Sequence, residues 1–549
     1  MVRLLCTGVV MRNFQYGRLK TEIFRNFSVV MMIFFTMSAS SAENTEPNRQ
    51  LRIGNVGEPQ TLDPHRYNLR LEETLLNDLF MGLTTFNAAG EIVPGAAQSW
   101  QTSEDGLTWR FNLRPDLMWS DGTPLTAGDF VYAFQRLQDP KTAASLAYFM
   151  YMLKNAPEVN KGTMALDTLG VKAEDAHTLI LSLSKPYPYL LERLLYPTAF
   201  PVPKHAIEAH GDTWVKAANW VSNGAYTLRE WQPQGFVALQ RNPHFVEPAT
   251  IESVRYYPVV NEQSAYNRYR NQELDAIASF PVGEIEKVKA TYREDFRSSD
   301  LLSMMYLVFN TQRKPFSDVR VRQALSLVID QDILTEKVLR SGNMPAFSFA
   351  PHLLPHYKAA QLPHAKEDPA ARQNHARMLL AEAGFTKENP LKITLRHTAN
   401  IEGKKVNLAV AGMWRQIGVQ TQLYQAEIRS HFGDLRQGNF DVAWAGWVGE
   451  SNAEHYLSLL ESDTGNVNYG RYKNSAFDDL MHQAKSAVTI PARNALLSQA
   501  EHLVVDDYPV VPLYTVSVRR LVSPKLDGWI DNPRDMHQVR YLEWRSVDP

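Results

Sequence analysis

The sequence predicts an α/β protein with two lobes built from discontinuous segments of the chain. Three observations indicate this class. With 549 residues, the chain is too long for one ordinary hydrophobic core. Its second half alternates strand and helix patterns, whereas its first half is richer in hairpins. No low-complexity linker separates the parts, so we expect the lobes to be joined by a strand hinge.

The individual elements follow from hydrophobic periodicity and from capping residues. Residues 51–56 alternate as a strand, and residues 107–120 read as a strand pair around a Pro-Asp turn. Thr126 is a plausible N-cap for a helix that stops before Pro140. The same patterns predict strands within 166–184, 223–245, 391–397, 440–444 and 508–522, helices over 71–83, 201–211, 318–339, 371–385, 475–487 and 491–507, and a helix followed by a strand within 404–424.

The first 42 residues have the order of a secretory signal peptide. Five basic residues precede the apolar run 27–37, and small residues follow it up to Ala42, after which we expect cleavage. The run is shorter than the roughly 20 residues that span a bilayer. Translation could begin at Met1 or at Met11. We therefore expect an exported protein located in the periplasm.

Cysteine usage limits the chemistry and the anchoring of the exported chain. The sole cysteine, Cys6, lies in the leader, upstream of the apolar run. A mature chain would then contain neither disulfides nor a thiolate nucleophile, and it would lack the cysteine that carries the lipid of a bacterial lipoprotein. The sequence predicts a freely soluble protein without a lipid anchor.

Composition and motifs exclude several function classes. A net charge of −2 supplies no electrostatic reason to expect nucleic acid as a partner. Nucleotide-binding glycine loops, a serine-hydrolase elbow and a His-Glu-x-x-His zinc motif are all missing from the sequence. His205 and His210 are five residues apart, which does not place them on one helix face. Asp121 and Asp129 could form a glycosidase pair only by converging in space, and scattered surface acids are the better interpretation.

Aromatic residues beside glycine or asparagine are the most informative local feature. Phe, Trp and Tyr make up 11% of the chain. Core packing explains any one of them, but several at strand ends next to glycine indicate a cleft that a ligand backbone approaches closely. Examples are Asn223-Gly224-Ala225-Tyr226, Gly446-Trp447 and Tyr469-Gly470-Arg471-Tyr472.

Segments spread over nearly all of the mature chain form a recognisable pattern. In order, they are TLDPH (61–65), residues 97–143, FPVPKHAIEAHGD (200–212), NGAY (223–226), YNRYRNQELDA (266–276), KPFSDVRVRQALSLVID (314–330), LLAEAGF (379–385) and FDVAWAGW (440–447). This pattern resembles the periplasmic oligopeptide-binding proteins of the family 5 solute-binding group, which serve ABC importers. The stretch 97–130 is specific to the group, and NGAY with FDVAWAGW points to its oligopeptide-binding branch.

The resemblance implies a hinged, two-lobed clamshell of the type II-like class with an extra domain. Lobe I is expected from residues 43–84, 200–279 and 506–549, the extra domain from 85–199, and lobe II from 280–505. In this branch an extended peptide is buried between the lobes, with strand-like main-chain hydrogen bonds and side chains in hydrated pockets.

The resemblance also implies site residues. Peptide binders hold the ligand ammonium on an acid three positions after the tryptophan of Ala-Gly-Trp, which is Glu450 here. Trp444 stands where an arginine is common, Gly403 where a histidine is expected and Asn68 where an acid is expected, while Arg436 lies one position from another expected arginine. The full set of predicted ligand-binding residues is Glu450, Trp447, Trp444, Gly446, Asn223, Gly224, Tyr226, Arg436 and Tyr514.

Three functions remain open at this point. The first is a non-enzymatic, monomeric subunit without cofactor or metal that captures short peptides and passes them to a membrane permease with its ATPase subunits. The second is the same scaffold with a non-peptide solute, such as a glycoside, an opine or haem. The third, a secreted hydrolase with convergent carboxylates, has no motif in its favour.

Overall fold

The computed structural model describes residues 50–545. The predicted signal peptide (1–42) and Cys6 lie outside the described residues. In the part of the chain that is described, no helix combines the length and the apolar character needed to cross a bilayer. The α/β class predicted from the sequence is confirmed by two large sheets, one smaller sheet and many helices.

The first large sheet has seven strands and mixes parallel and antiparallel pairs. Its central strand Leu51–Asn55 runs parallel to both of its neighbours. The strand order is Phe296–Asp300, Ser517–Val522, Ala276–Ile277, Leu51–Asn55, Ser253–Pro258, Phe236–Arg241 and Tyr226–Gln232.

The second large sheet has six strands. Strand Lys392–Thr398 runs parallel to both of its neighbours, so the carboxyl ends of three strands meet at one edge. The order is Met344–Pro345, Val510–Thr515, Ser303–Phe309, Val442–Val448, Lys392–Thr398 and Gln420–Ala426. Both faces of this sheet are covered, because alternate residues of its inner strands enter two different hydrophobic cores.

A four-stranded antiparallel sheet forms the smaller unit, in the order Ala97–Thr102, Thr108–Leu113, Thr178–Ser182 and Val171–Asp175. Its core is continuous with one face of the seven-stranded sheet. Two further ribbons pair Thr84–Phe86 with Ile92–Pro94 and Leu526–Asp527 with Glu543–Trp544.

Helices cover the sheets, and most begin at a residue that the sequence marks. Thr126 is the N-cap, as predicted, and it forms a capping box with Asp129. The helices are Arg70–Leu79, Ala127–Gln138, Ala156–Asn160, Leu190–Arg193, Lys204–His210, Glu262–Arg270, Ile285–Thr291, Val319–Leu327, Ile333–Leu339, Pro369–Glu382, Ile401–Arg415, Ile428–Gln437, Glu454–Leu457, Ser475–Ser486 and Ile490–Asp507.

Two short connections carry the chain between the large sheets, after Asp300 and after Thr515. They are hydrogen-bonded to each other: the Leu301 N–H donates to the Val516 carbonyl over 2.8 Å, and the Val516 N–H donates to Ser303 Oγ over 2.9 Å. This pair of crossings is the arrangement that a strand hinge requires. The lobe boundaries drawn from the resemblance stay a prediction.

The predicted strand pair within 107–120 is wrong. The strand at 108–113 pairs with Ala97–Thr102 and Thr178–Ser182, not with the aromatic run that follows it. That run instead turns back on itself, because the Trp119 N–H donates to the Thr123 carbonyl over 2.8 Å.

The predicted single helix over 318–339 is two helical segments, because the Asp330 side chain accepts from the Ile333 N–H over 2.9 Å and caps a new start. The strand region 508–522 is two strands that belong to different sheets.

Candidate ligand-binding site

The strand Val442–Val448 leads into the site, and it is longer than the sequence predicts. The expected end was residue 444, but Gly446 and Trp447 continue the ladder opposite Met305 and Met304. A Cβ on Gly446 would lie 2.3 Å from the Met305 sulfur, so a larger residue would have to displace that side chain. The glycine thus lets two strands pack closely at the edge where the parallel strands end.

Glu450 lies just beyond this strand and is buried, with 2% of its surface exposed. Its Oε1 is 2.8 Å from Arg193 Nη1, whereas Oε2 receives only a long hydrogen bond of 3.4 Å from Asn452 Nδ2. Burial raises the pKa of Glu450 to about 7, and the nearby Arg193 opposes this rise. Glu450 is therefore a carboxylate with one strong partner and unused acceptor capacity.

Arg193 is held in place by aromatic side chains. It is the last residue of helix Leu190–Arg193, and its Nε donates to the Tyr187 hydroxyl over 3.0 Å. The guanidinium carbon lies 4.9 Å from the centre of the Phe149 ring, within the range of a cation–π contact. Burial acts to lower the pKa of Arg193, but Tyr187 and Glu450 raise it overall, so the side chain stays charged.

A second polar contact joins three distant segments next to this pair. Glu192 Oε1 accepts from the Ser451 N–H over 2.7 Å and from Arg534 Nη2 over 3.2 Å. Arg534 Nη2 also donates to Ser451 Oγ over 2.8 Å. These contacts tie the loop after Val442–Val448 to the helix that carries Arg193 and to the C-terminal segment.

Two cavities border the Glu192–Ser451–Arg534 contact, since Arg534 lines both of them and Glu192 and Ser451 line the larger. The larger has a volume of about 630 Å³ and a mainly apolar and aromatic wall, and the smaller has a volume of about 440 Å³. Leu302, Pro533 and Arg534 line both. Among the other residues of the larger cavity are Tyr189, Leu191, Leu353, His356, Tyr357 and Asn452, and among those of the smaller are Arg70, Glu73, Tyr196, Val448, Gly449 and Asp535.

Three predicted site residues lie away from Glu450 and have internal partners. Asn223 Nδ2 donates to the Met81 carbonyl over 2.8 Å, and the Tyr226 hydroxyl donates to the Ile251 carbonyl over 2.9 Å. A Cβ on Gly224 would lie 2.4 Å from the Asp78 carbonyl oxygen. The NGAY motif thus packs the seven-stranded sheet against the end of helix Arg70–Leu79.

The other predicted residues are spread over the six-stranded sheet and its surroundings. Trp444 is buried in one core, whereas half-buried Trp447 packs edge-on against His455 with ring centres 5.7 Å apart. Tyr514 is buried on strand Val510–Thr515, which strand Ser303–Phe309 separates from Val442–Val448, and it donates to Glu402 Oε1 over 2.7 Å. Arg436 is exposed at the end of helix Ile428–Gln437. None of the nine predicted residues lines either cavity, but Trp447 and Glu450 are chain neighbours of Val448, Gly449 and Ser451, which do.

Sequence reasoning missed the residues that surround Glu450. Arg193, Glu192 and Arg534 are separated from it by 80 to 260 positions, and none belongs to a recognised motif. A weak signal existed in the tyrosine-rich stretch 187–196, where two charged residues sit among apolar ones. Burial of Glu192–Arg193 next to Glu450 becomes visible only in three dimensions.

The acids and histidines weighed for other chemistry have local roles. Asp121 lies 2.8 Å from His205 and accepts from the Thr123 hydroxyl. Asp129 accepts from the Thr126 N–H at the start of its helix. The two acids thus have separate local partners and do not form a pair. Within residues 50–545, Glu461, Asp463 and His482 place possible metal-ligand atoms within 4.8 Å of one another, with Lys485 bound to Glu461.

Comparisons with known proteins agree with this architecture. Residues 91–468 match the family model described as bacterial extracellular solute-binding proteins, family 5 Middle. The periplasmic oligopeptide-binding protein OppA of Salmonella typhimurium is 37% identical over 90% of this chain and 92% of its own. The periplasmic murein peptide-binding protein MppA of Escherichia coli is 36% identical over 88% and 91%. The probable deoxycholate-binding periplasmic protein YgiS of Escherichia coli is 33% identical over 89% and 92%.

Solved structures of periplasmic peptide-binding proteins are also similar to this chain. An unliganded open form of the murein tripeptide-binding protein MppA has a TM-score of 0.83 at 36% identity and covers 91% of this chain and 98% of its own. Haemophilus influenzae OppA in complex with the peptide RPPGFSPFR has a TM-score of 0.72 at 32% identity, covering 91% and 100%. Together with the two large sheets, the paired crossings and the cavities beside Glu450, these matches show that the chain belongs to the bacterial extracellular solute-binding proteins, family 5.

Proposed function

We propose that this protein captures short peptides in the cleft beside Glu450 and delivers them to an ABC importer. The observation that carries the proposal is the pair of cavities of about 630 and 440 Å³ that border the Glu192–Ser451–Arg534 contact. Their volumes suit small ligands, and their walls combine apolar and aromatic surface with a few polar groups. The relatives with peptide-binding names support the same cargo class.

Binding in this cleft would use general rather than sequence-specific contacts. An extended peptide could pair its backbone N–H groups with main-chain carbonyls at the strand end Val448–Gly449, which lines the smaller cavity. The Gly449 N–H itself is already bound to the Leu302 carbonyl. Its side chains would enter the two cavities, where water can bridge to walls of varied shape. Closure around the ligand then follows from greater affinity for the closed state, with the two crossings after Asp300 and Thr515 as the hinge.

Glu450 is the proposed contact for the amino terminus of the peptide, with Trp447 as an apolar wall. The ligand roles of the other predicted residues are kept as part of the proposal, although Asn223 and Tyr226 also have hydrogen-bond partners inside the protein. These residues are Trp444, Gly446, Asn223, Gly224, Tyr226, Arg436 and Tyr514. No covalent step is needed, so the protein acts as a binding protein and not as an enzyme.

The proposal places the protein in the periplasm as a monomer. The signal peptide would be cleaved after Ala42, and no lipid would anchor the mature chain. The partners would be an inner-membrane permease and, through it, ATPase subunits. The periplasmic relatives support this location.

The test is native mass spectrometry of the protein purified from its own periplasm, followed by calorimetric titration of ligand-stripped protein with tripeptides. We expect a heterogeneous set of co-purified short peptides and saturable tripeptide binding. Tyr357→Ala, in the wall of the larger cavity, should weaken binding, whereas Tyr424→Ala, an exposed residue of an edge strand, should not. A uniform non-peptide mass together with no tripeptide binding would overturn the proposal.

A bile-acid-like solute is the second candidate, because one relative carries a deoxycholate-binding name and the larger cavity has a mainly apolar wall. Titration with deoxycholate in the same experiment separates the two. Binding of deoxycholate in place of tripeptides would favour this alternative.

A further inference from the structure

Arg193 occupies the position at Glu450 that a ligand cation would take. Its Nη1 lies 2.8 Å from Glu450 Oε1, and the side chain of Glu450 is only 2% exposed. Glu450 itself lines neither of the two cavities, although Gly449 lines one and Ser451 the other. The proposed contact for a peptide amine is thus already neutralised from within the protein.

The contacts of the Arg193 guanidinium hold it in position beside Glu450. Its Nε is bound to Tyr187, and its face lies over Phe149, whose ring packs edge-on against Tyr196 with centres 5.2 Å apart. A ligand ammonium that approached Glu450 Oε2 would stand beside this positive charge. Because like charges repel, the ammonium would gain less there than at a carboxylate without a counter-ion.

Three of the four other carboxylates in the walls of the two cavities are paired with an arginine inside the protein, whereas the fourth, Glu91, is exposed and accepts from Asn87 Nδ2 over 2.9 Å. Glu192 lies 3.2 Å from Arg534, Glu73 lies 3.3 Å from Arg70, and Asp535 lies 2.7 Å from Arg520. The charges of the cleft are therefore largely balanced before a ligand enters. A cleft with balanced charges and apolar walls binds a positively charged end of a ligand with little preference over an uncharged one.

We infer that Arg193 is a resident counter-ion of Glu450 and that the site therefore accepts peptides with an uncharged amino terminus, such as acylated peptides, alongside those with a free one. This inference rests on the proposed peptide-binding function and names the substrate class of that same site. Arg193 is the residue that sets this specificity, because it decides whether the carboxylate needs the cation of the ligand.

The experiment compares trialanine with N-acetyl-trialanine by calorimetric titration of the wild-type protein, Arg193→Met and the double variant Arg193→Met/Glu450→Gln. The ratio of the two dissociation constants is the readout. We expect wild-type protein to prefer the free peptide by less than about tenfold. In Arg193→Met, the ammonium becomes the partner of Glu450, and the preference should rise by about 10- to 100-fold, the range of one charge-assisted hydrogen bond. The double variant should lose this gain.

Thermal melting shows whether Arg193→Met is folded. If it is not, Tyr187→Phe removes the hydrogen bond that fixes the guanidinium, and a smaller rise in the same ratio is expected. A wild-type ratio far above tenfold, or a ratio that neither variant changes, would overturn the inference while peptide binding stands. Failure of both peptides to bind the wild-type protein would instead contradict the proposed function.

Discussion

Two buried ion pairs in this protein have the same chemistry but different degrees of satisfaction. In the first, Arg136 binds both oxygens of Asp63, with Nη1 at 3.0 Å and Nη2 at 2.6 Å, and the His65 N–H donates to Asp63 Oδ1 over 3.0 Å. In the second, Arg193 reaches one oxygen of Glu450, and the other oxygen receives only the 3.4 Å contact from Asn452.

This difference in hydrogen bonding shifts the pKa values of the two carboxyl groups in opposite directions. Burial acts to raise the pKa of Asp63, but hydrogen bonds and the charge of Arg136 lower it overall. At Glu450, burial prevails, and the pKa rises to about 7. A saturated pair is a structural element, whereas an unsaturated one retains capacity for a further partner, which is what a binding site needs.

The largest expected effect comes from breaking the saturated pair. Arg136→Met leaves Asp63 buried without its cation, and we expect the free energy of unfolding to fall by about 3–5 kcal/mol. Urea denaturation followed by circular dichroism measures it. Arg110→Met, which removes an exposed pair with Glu174, serves as control and should cause no measurable change. A loss no greater than that of the control would contradict the structural role of Asp63–Arg136.

A smaller effect concerns the pH dependence of the unsaturated pair. The folded protein retains the Glu450 proton up to about pH 7, whereas an unfolded glutamate releases it near 4.5. The stability that this proton contributes is therefore fully present below about pH 4.5 and is lost as the pH rises through 7. Relative to Glu450→Gln, the wild-type protein should lose about 3 kcal/mol of unfolding free energy between these limits.

The measurement is a series of urea titrations of both proteins across this pH range. The charged or titratable neighbours Arg193, Glu192, Arg534 and His455 are the same in the two proteins, so they cancel in the difference. Parallel curves for the two proteins would show that Glu450 is ionised throughout and would remove the contrast with Asp63.

The smallest effect is expected at the weak second contact of Glu450. Asn452→Ala removes the 3.4 Å hydrogen bond to Oε2 and should lower the unfolding free energy by about 0.5–1 kcal/mol. The loss should be greater above pH 7, where Glu450 is ionised, than at about pH 5. Urea denaturation at the two pH values checks this, and an equal loss at both would show that Asn452 acts through its other hydrogen bond, to His455.

Local patterns predicted most helices and strands. The N-cap at Thr126 and the strands within 223–245 are present, because each depends on a few neighbouring residues. The predictions were wrong where residues distant in the sequence determine where an element begins or ends. Strand Val442–Val448 extends through Gly446 because Met305 lies opposite, and the segment 318–339 divides because Asp330 caps a second helix.

The candidate site was predicted in part. The resemblance of FDVAWAGW to the oligopeptide-binding branch located Glu450, and the structure buries this residue beside two cavities. The ligand roles of all nine predicted residues stay proposals. Asn223 and Tyr226 show why neighbourhood to glycine is a weak guide, since their polar groups are bound to carbonyls inside the protein.

The sequence by itself determined the α/β class and the family, because periodicity, caps and long ordered motifs are properties of the chain in one dimension. Only the tertiary structure decided what surrounds Glu450. The helix that carries Arg193 and the C-terminal segment with Arg534 converge on it through sheet topology, and a counter-ion from 257 positions away follows no local rule. Whether that carboxylate is free or paired depends on burial and distance, and these are set by packing.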